Sequence, residues 1–297
     1  VAVGFITDFP AEYLVSLFKL PSLRQLSLCG VGNLYGDANA WDAADDCSTP
    51  LEELNLAECR ISPEHLRKIL EYPRALKRFS IWQFIKTISE PATEPPVWNN
   101  RDFFKAISDS PCNNSLEAFR FDMSWAGYAI SPEPGMHELT GVRYLEVLPN
   151  HMEDMWEDRP GVPVPDIGFP LEQLLPPNLE ILKIPNSPRK PNLSVLWRII
   201  EKKDELFPSL KRIILGIPYH TDAIAIEISL SKQTWTPEGY GYFAYSALDH
   251  SVFPMIPMLN IECEKKGVEI ILRHESPINY PFHLELEDTT IWEDARI

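Results

Sequence analysis

The feature that most constrains this chain is a short apolar pattern, L-x-x-L-x-L with conservative replacements, that returns along most of its length. It reads Leu23-Leu26-Leu28, Leu51-Leu54-Leu56, Leu76-Phe79-Ile81, Leu116-Phe119-Phe121, Val142-Leu145-Val147, Leu179-Leu182-Ile184 and Leu210-Ile213-Leu215, with a degenerate eighth copy at Val268-Ile270-Leu272 after Gly267. The intervals are uneven, so the units carry insertions of different lengths. Recurrence of this kind marks stacked units, each offering one short strand whose alternate side chains enter a shared core while the rest returns over the outside. One unit alone cannot bury its apolar face. The expected fold is therefore α/β: an irregular repeat solenoid with a parallel sheet on a concave face, helices and loops on a convex face, long inserts and a C-terminal capping unit. Residues 1–216 form the array; 217–297 are expected to be an atypical final repeat and cap, continuous with it.

The second unit is the most legible. Leu51-Leu54-Leu56 is followed by Cys59, Ile61 and then Ser62-Pro63, an N-cap residue before a proline at the first helical position, with Leu66, Ile69 and Leu70 on one helix face. Other return helices are expected at 11–19 (Leu14, Leu17, Phe18), 101–109 (Phe103, Phe104, Ile107), 193–206 (Leu196, Trp197, Ile200) and 252–266, the last closed by Gly267. Pro21, Pro50, Pro177 and Pro208 stand just before repeat strands, where they stop a helix and favour extension.

The residue after each first apolar position supplies an independent check. It runs Arg24, Glu52, Lys77, Glu117, Arg143, Glu180, Lys211, with the sign alternating throughout. If consecutive units lie side by side these residues are neighbours, and opposite charges on adjacent strands are favoured by a few tenths of a kcal/mol. In-order stacking is the arrangement that satisfies them.

The stretch from Leu51 to Leu76, with Cys59 and the Ile61-Ser62 step into a helix, resembles the cysteine-containing class of leucine-rich repeats carried by F-box proteins. The uneven spacing and long inserts are similar to those of fungal F-box-type proteins. The resemblance covers 20–220 and 251–273. It departs from the family at the eighth position, where Cys59 and Asn150 keep the customary Cys or Asn, Ser124 and Ser187 are substitutes, and no F-box is recognisable. The resemblance implies a substrate receptor of a ubiquitin ligase, with the concave face selecting a protein target. A Skp-family adaptor is an implied partner only if an F-box exists upstream of Val1. The chain starts at Val1 with neither Met nor a basic leader, which reads as a fragment or a processed product.

Charge and composition exclude other classes. Lys and Arg number 27 against 43 Asp and Glu, a net charge of -16, which repels phosphate backbones and anionic lipid. Neither nucleic acid nor a membrane is an expected partner, and no apolar run approaches the roughly 18 residues a membrane helix needs. The five cysteines (Cys29, Cys47, Cys59, Cys112, Cys263) form no CxxC pair, which suits reduced thiols in cytoplasm or nucleus. Two glycosylation triplets, Asn113-Asn114-Ser115 and Asn192-Leu193-Ser194, would instead suit secretion.

Signals of chemistry are sparse. No GxSxG, GxxxxGK[ST], HExxH or EF-hand text occurs, and Gly239-Tyr240-Gly241 lacks the strand and helix of a dinucleotide site. The seven histidines show no metal spacing; His283 with Glu285 and Glu287 is best read as the polar edge of a strand. Acidic clusters at Asp42-Asp45-Asp46 and Glu153-Asp154-Glu157-Asp158 fall in inserts and read as solvated loops. Cys59 is explained by its repeat position, and Cys29 and Cys263 have no basic neighbours to activate a thiolate. No catalytic, metal or cofactor residue is assigned; the chain is expected not to be an enzyme.

What remains is a recognition surface. The third, fifth and seventh positions of the units supply Gln25, Asn55, Arg78, Trp82, Arg120, Tyr144, Glu146, Lys183 and Arg212 as the protein-binding set, alongside Ser27, Glu53 and Ser80. Trp, Tyr and Arg are the types enriched in interface hot spots, so Trp82 and Tyr144 are the expected anchors. Two other readings stay open: a regulatory repeat scaffold unrelated to ubiquitin ligases (a GTPase regulator or a secreted recognition protein), and an enzyme with its site in the inserts 29–50, 85–115, 149–178 or 217–265, where Trp235, Tyr240, Tyr242 and Tyr245 cluster.

Overall fold

The computed structural model describes residues 2–4, 11–30, 49–57, 59, 61–82, 100–122, 135–147, 175–185, 190–218, 227–229 and 255–275. Within them each apolar triplet lies on, or starts just before, a strand. The chain divides into two compact units, Val1–Val142 with Gln173–Pro176, and Arg143–Glu172 with Pro177–Ile297.

In the first unit the order is β1 (Ala2–Gly4), α1 (Ala11–Phe18), β2 (Gln25–Cys29), β3 (Glu53–Ala57), α2 (Pro63–Leu70), β4 (Arg78–Trp82), α3 (Asn100–Ser108), β5 (Ala118–Asp122) and a 3-10 turn at Met136–Glu138. The five strands pair in chain order and are all parallel. The second unit contains β6 (Tyr144–Val147), β7 (Ile181–Ile184), α4 (Lys190–Glu201), α5 (Lys203–Leu206), β8 (Arg212–Pro218), β9 (Glu227–Ser229), α6 (Met255–Lys265) and β10 (Glu269–Glu275). Strands β6, β7, β8 and β10 run parallel in that order, and β9 lies antiparallel on β10. The architecture is thus α/β with parallel strands.

Register follows the apolar pattern. Leu26, Leu54, Phe79 and Phe119 stand level across four strands, and so do Leu28, Leu56, Ile81 and Phe121. In the second unit Leu145, Leu182, Ile213 and Ile270 form the matching row. No residue of the seven full triplets exceeds 3% exposure. At roughly 1.5–3 kcal/mol for each fully buried side chain of this kind, these rows supply the main driving force of the fold. Aromatic pairs reinforce the first unit, with Phe79 stacked on Phe119 at 5.7 Å and Phe104 against Phe121 at 4.9 Å.

Helix α2 forms as the Ser62-Pro63 text dictates. Ser62 is extended, its hydroxyl accepts the His65 N–H at 3.2 Å, Pro63 opens the helix, and Leu66, Ile69 and Leu70 are buried. The expected helix at 193–206 is instead two helices that meet at Lys202. Its apolar face is Val195, Leu196, Ile199 and Ile200; Trp197 is only half-buried and its indole N–H donates to Glu201 at 2.8 Å. Helix α6 ends in a left-handed Gly267 (φ 68°), with the Gly267 N–H bonded to Glu264 O and the Val268 N–H to Cys263 O.

That turn corrects the reading of the eighth unit. Pairing of Glu269 with Arg212 sets Ile270 and Leu272 level with Ile213 and Leu215, as expected, but puts Gly267 rather than Val268 at the first position. Val268 takes the place that is charged in the other units, buried at 2%. Two strands were not anticipated. One is β1, where Val3 stands level with Leu28; the other is the antiparallel β9. No described helix is long and apolar enough to cross a membrane.

Candidate functional site

The side chains that point away from the apolar triplets form rows across neighbouring strands. In the second position the alternating charges meet. Glu52 accepts from Arg24 and from Lys77, each at 3.2 Å, and Glu180 accepts from Arg143 and from Lys211, each at 2.6 Å. The hydrogen bond and charge of Lys77, with Arg24 and Arg78 nearby, hold the Glu52 carboxyl below its ordinary range. Burial pushes the Glu180 carboxyl upward, yet hydrogen bonds from Lys211 and Arg143 outweigh it and leave the group lowered. Glu117 joins the row through its backbone, its N–H donating to Lys77 O at 2.9 Å.

At the third position Gln25 and Arg78 both reach Glu53, Arg78 closing to 2.8 Å, while Arg212 pairs with Glu269 at 3.2 Å. At the fifth, Ser27, Asn55, Ser80 and Arg120 stand level on β2 to β5, and Glu146 faces Lys183 at 3.4 Å between β6 and β7. At the seventh, Trp82 lies beside the Arg120 guanidinium, 6.0 Å from the ring centroid.

The expected binding set is therefore split. Gln25, Asn55, Arg78, Trp82 and Arg120 share one face of the first unit, and each keeps some exposure. In the second unit Arg212 and Lys183 remain partly exposed, but Tyr144 and Glu146 do not. Tyr144 is a correction to the expected anchor. It is 0% exposed, and its hydroxyl donates to Glu146 at 3.1 Å. Glu146 is buried at 4%. The cause is that β6 is buried on both faces, so its outward residues meet protein rather than solvent. The signal was present in the neighbouring outward positions, Ile181, Ile214 and Ile271, which are apolar and no more than 5% exposed.

The cysteines act in packing. Cys59 Sγ lies 3.4 Å from Leu28 O and 3.3 Å from Ala57 O, which ties the turn after β3 to the preceding strand. Cys112 plays a similar part that sequence reasoning missed, lying 3.4 Å from Leu70 O and from Pro73 O. Burial, helped by Glu262 and Glu264, pushes the Cys263 thiol up to about 12, far from a reactive thiolate. Among the described residues no group of three or more His, Cys, Asp or Glu could hold a metal ion. The Asn113 glycosylation triplet is occupied otherwise: its side-chain nitrogen donates to Glu138 O at 3.1 Å. Both acidic clusters, His283 with Glu285 and Glu287, the aromatics Trp235, Tyr240, Tyr242 and Tyr245, and Ser124, Asn150 and Ser187 lie outside the described residues.

Comparison with protein-family models, with curated proteins and with solved structures returns no match.

Proposed function

We propose that the chain is a leucine-rich-repeat protein that acts as a non-catalytic protein-binding module, its contact surface centred on Trp82 and Arg120. The observation that carries this reading is the register of the first unit. Four successive strands hold their apolar residues in common rows on one side, and on the other gather Gln25, Asn55, Arg78, Trp82 and Arg120 as partly exposed neighbours. A face of this composition, with Trp and Arg beside short polar side chains, suits recognition of a protein surface. The resemblance of the Cys59 unit to F-box-associated repeats supports a more specific role, the target-reading part of a ubiquitin-ligase receptor in cytoplasm or nucleus. In that role a Skp-family adaptor would be a partner only if the full-length product carries an F-box.

The test is capture of partners from cell extract by the immobilised chain, with captured proteins identified by mass spectrometry. Trp82→Ala combined with Arg120→Ala is expected to abolish capture while the melting temperature stays close to that of the parent. Capture unaffected by the double substitution would remove the site from this face. Binding of the purified adaptor to the full-length product separates the ligase role from a scaffold role.

A further inference from the structure

We draw no further inference here: the strongest candidate, the surface patch that Met258 and Ile261 form on helix α6, where the two side chains are 58% and 51% exposed, is an apolar helix face, and nothing in the structure shows what covers it.

Discussion

Strand β3 in the first unit and strand β8 in the second present the same kind of inner face and opposite kinds of outer face. In β3 the residues between the leucines are Glu53 and Asn55, both half-buried. In β8 the equivalent inner residues are Ile213 and Leu215, and between them sits Ile214, 1% exposed. Alternation of apolar and polar residues marks a sheet with one open side, whereas a near-continuous apolar run marks one buried on both. The repeat is thus the same device in both units, but among the described residues the first unit is where several neighbouring side chains on one face keep access to a partner.

The contrast is sharpest where charge is buried. Glu146 and Lys183 are 6% and 14% exposed in their side chains, while Glu53 and Arg78, an equivalent cross-strand pair, are 19% and 37% exposed. Lys183→Met would remove a cation from beside a buried carboxylate that keeps the Tyr144 hydroxyl, and is expected to cost more in urea unfolding than the same change at Arg78, with part of the loss recovered by adding Glu146→Leu. Arg78→Met should cost no more than about 1 kcal/mol, since water can reach Glu53. Equal losses at the two pairs would erase the distinction between the faces.

The fifth position offers a second comparison without charge. Ile214→Ala leaves a cavity at a side chain that is 1% exposed and is expected to destabilise by about 2–4 kcal/mol. Ser27→Ala, on the open face of β2, should fall within about 0.5 kcal/mol of the parent. Both are read from the midpoint of denaturant unfolding. A small loss at Ile214 would mean that its side of β8 is not truly packed.

The apolar triplets, the Ser62 cap, the Gly267 stop and the alternating charges were legible because each depends on residues close in sequence, or on one period repeated many times. The misses have a different physical origin. Tyr144 and Glu146 read as surface because they are polar, and a hydroxyl donated within the strand, with Lys183 across it, contributes to making their burial tolerable. Strand β1 offers only Val3 at a triplet position level with β2, too little periodicity to score. Cys112 has no fixed place in the repeat, since its sulfur meets carbonyls at the end of α2 and just beyond it, and that contact exists only once the units are stacked. Of the candidate site, the repeat pattern placed Trp82 and Arg120 on one face but did not give their contact, since register sets Trp82 level with Asp122 and Arg120 level with Ser80. The full burial of Ser80 was not legible either, because burial is set by what folds over the strand.

The smallest expected effect separates the two charge rows by pH. Glu52 and Glu180 each sit between two cations, but their side chains are 37% and 9% exposed. Solvent screens the first, so Glu52→Gln should leave the unfolding midpoint unchanged, whereas Glu180→Gln should lose about 1–3 kcal/mol at neutral pH, the range of a charged hydrogen-bonded group. The folded-state value of Glu180 is lowered from 4.5, so the unfolded chain binds the proton more readily as pH falls. Its contribution is therefore complete about one unit above 4.5 and disappears as pH drops through the folded-state value. Urea midpoints of the parent and of Glu180→Gln should run parallel near neutral pH, draw together as pH falls through 4.5, and meet below the folded-state value. A gap that does not narrow as pH falls below 4.5 would show that the glutamine disturbs packing, and that the stabilisation does not come from the charge held between Arg143 and Lys211.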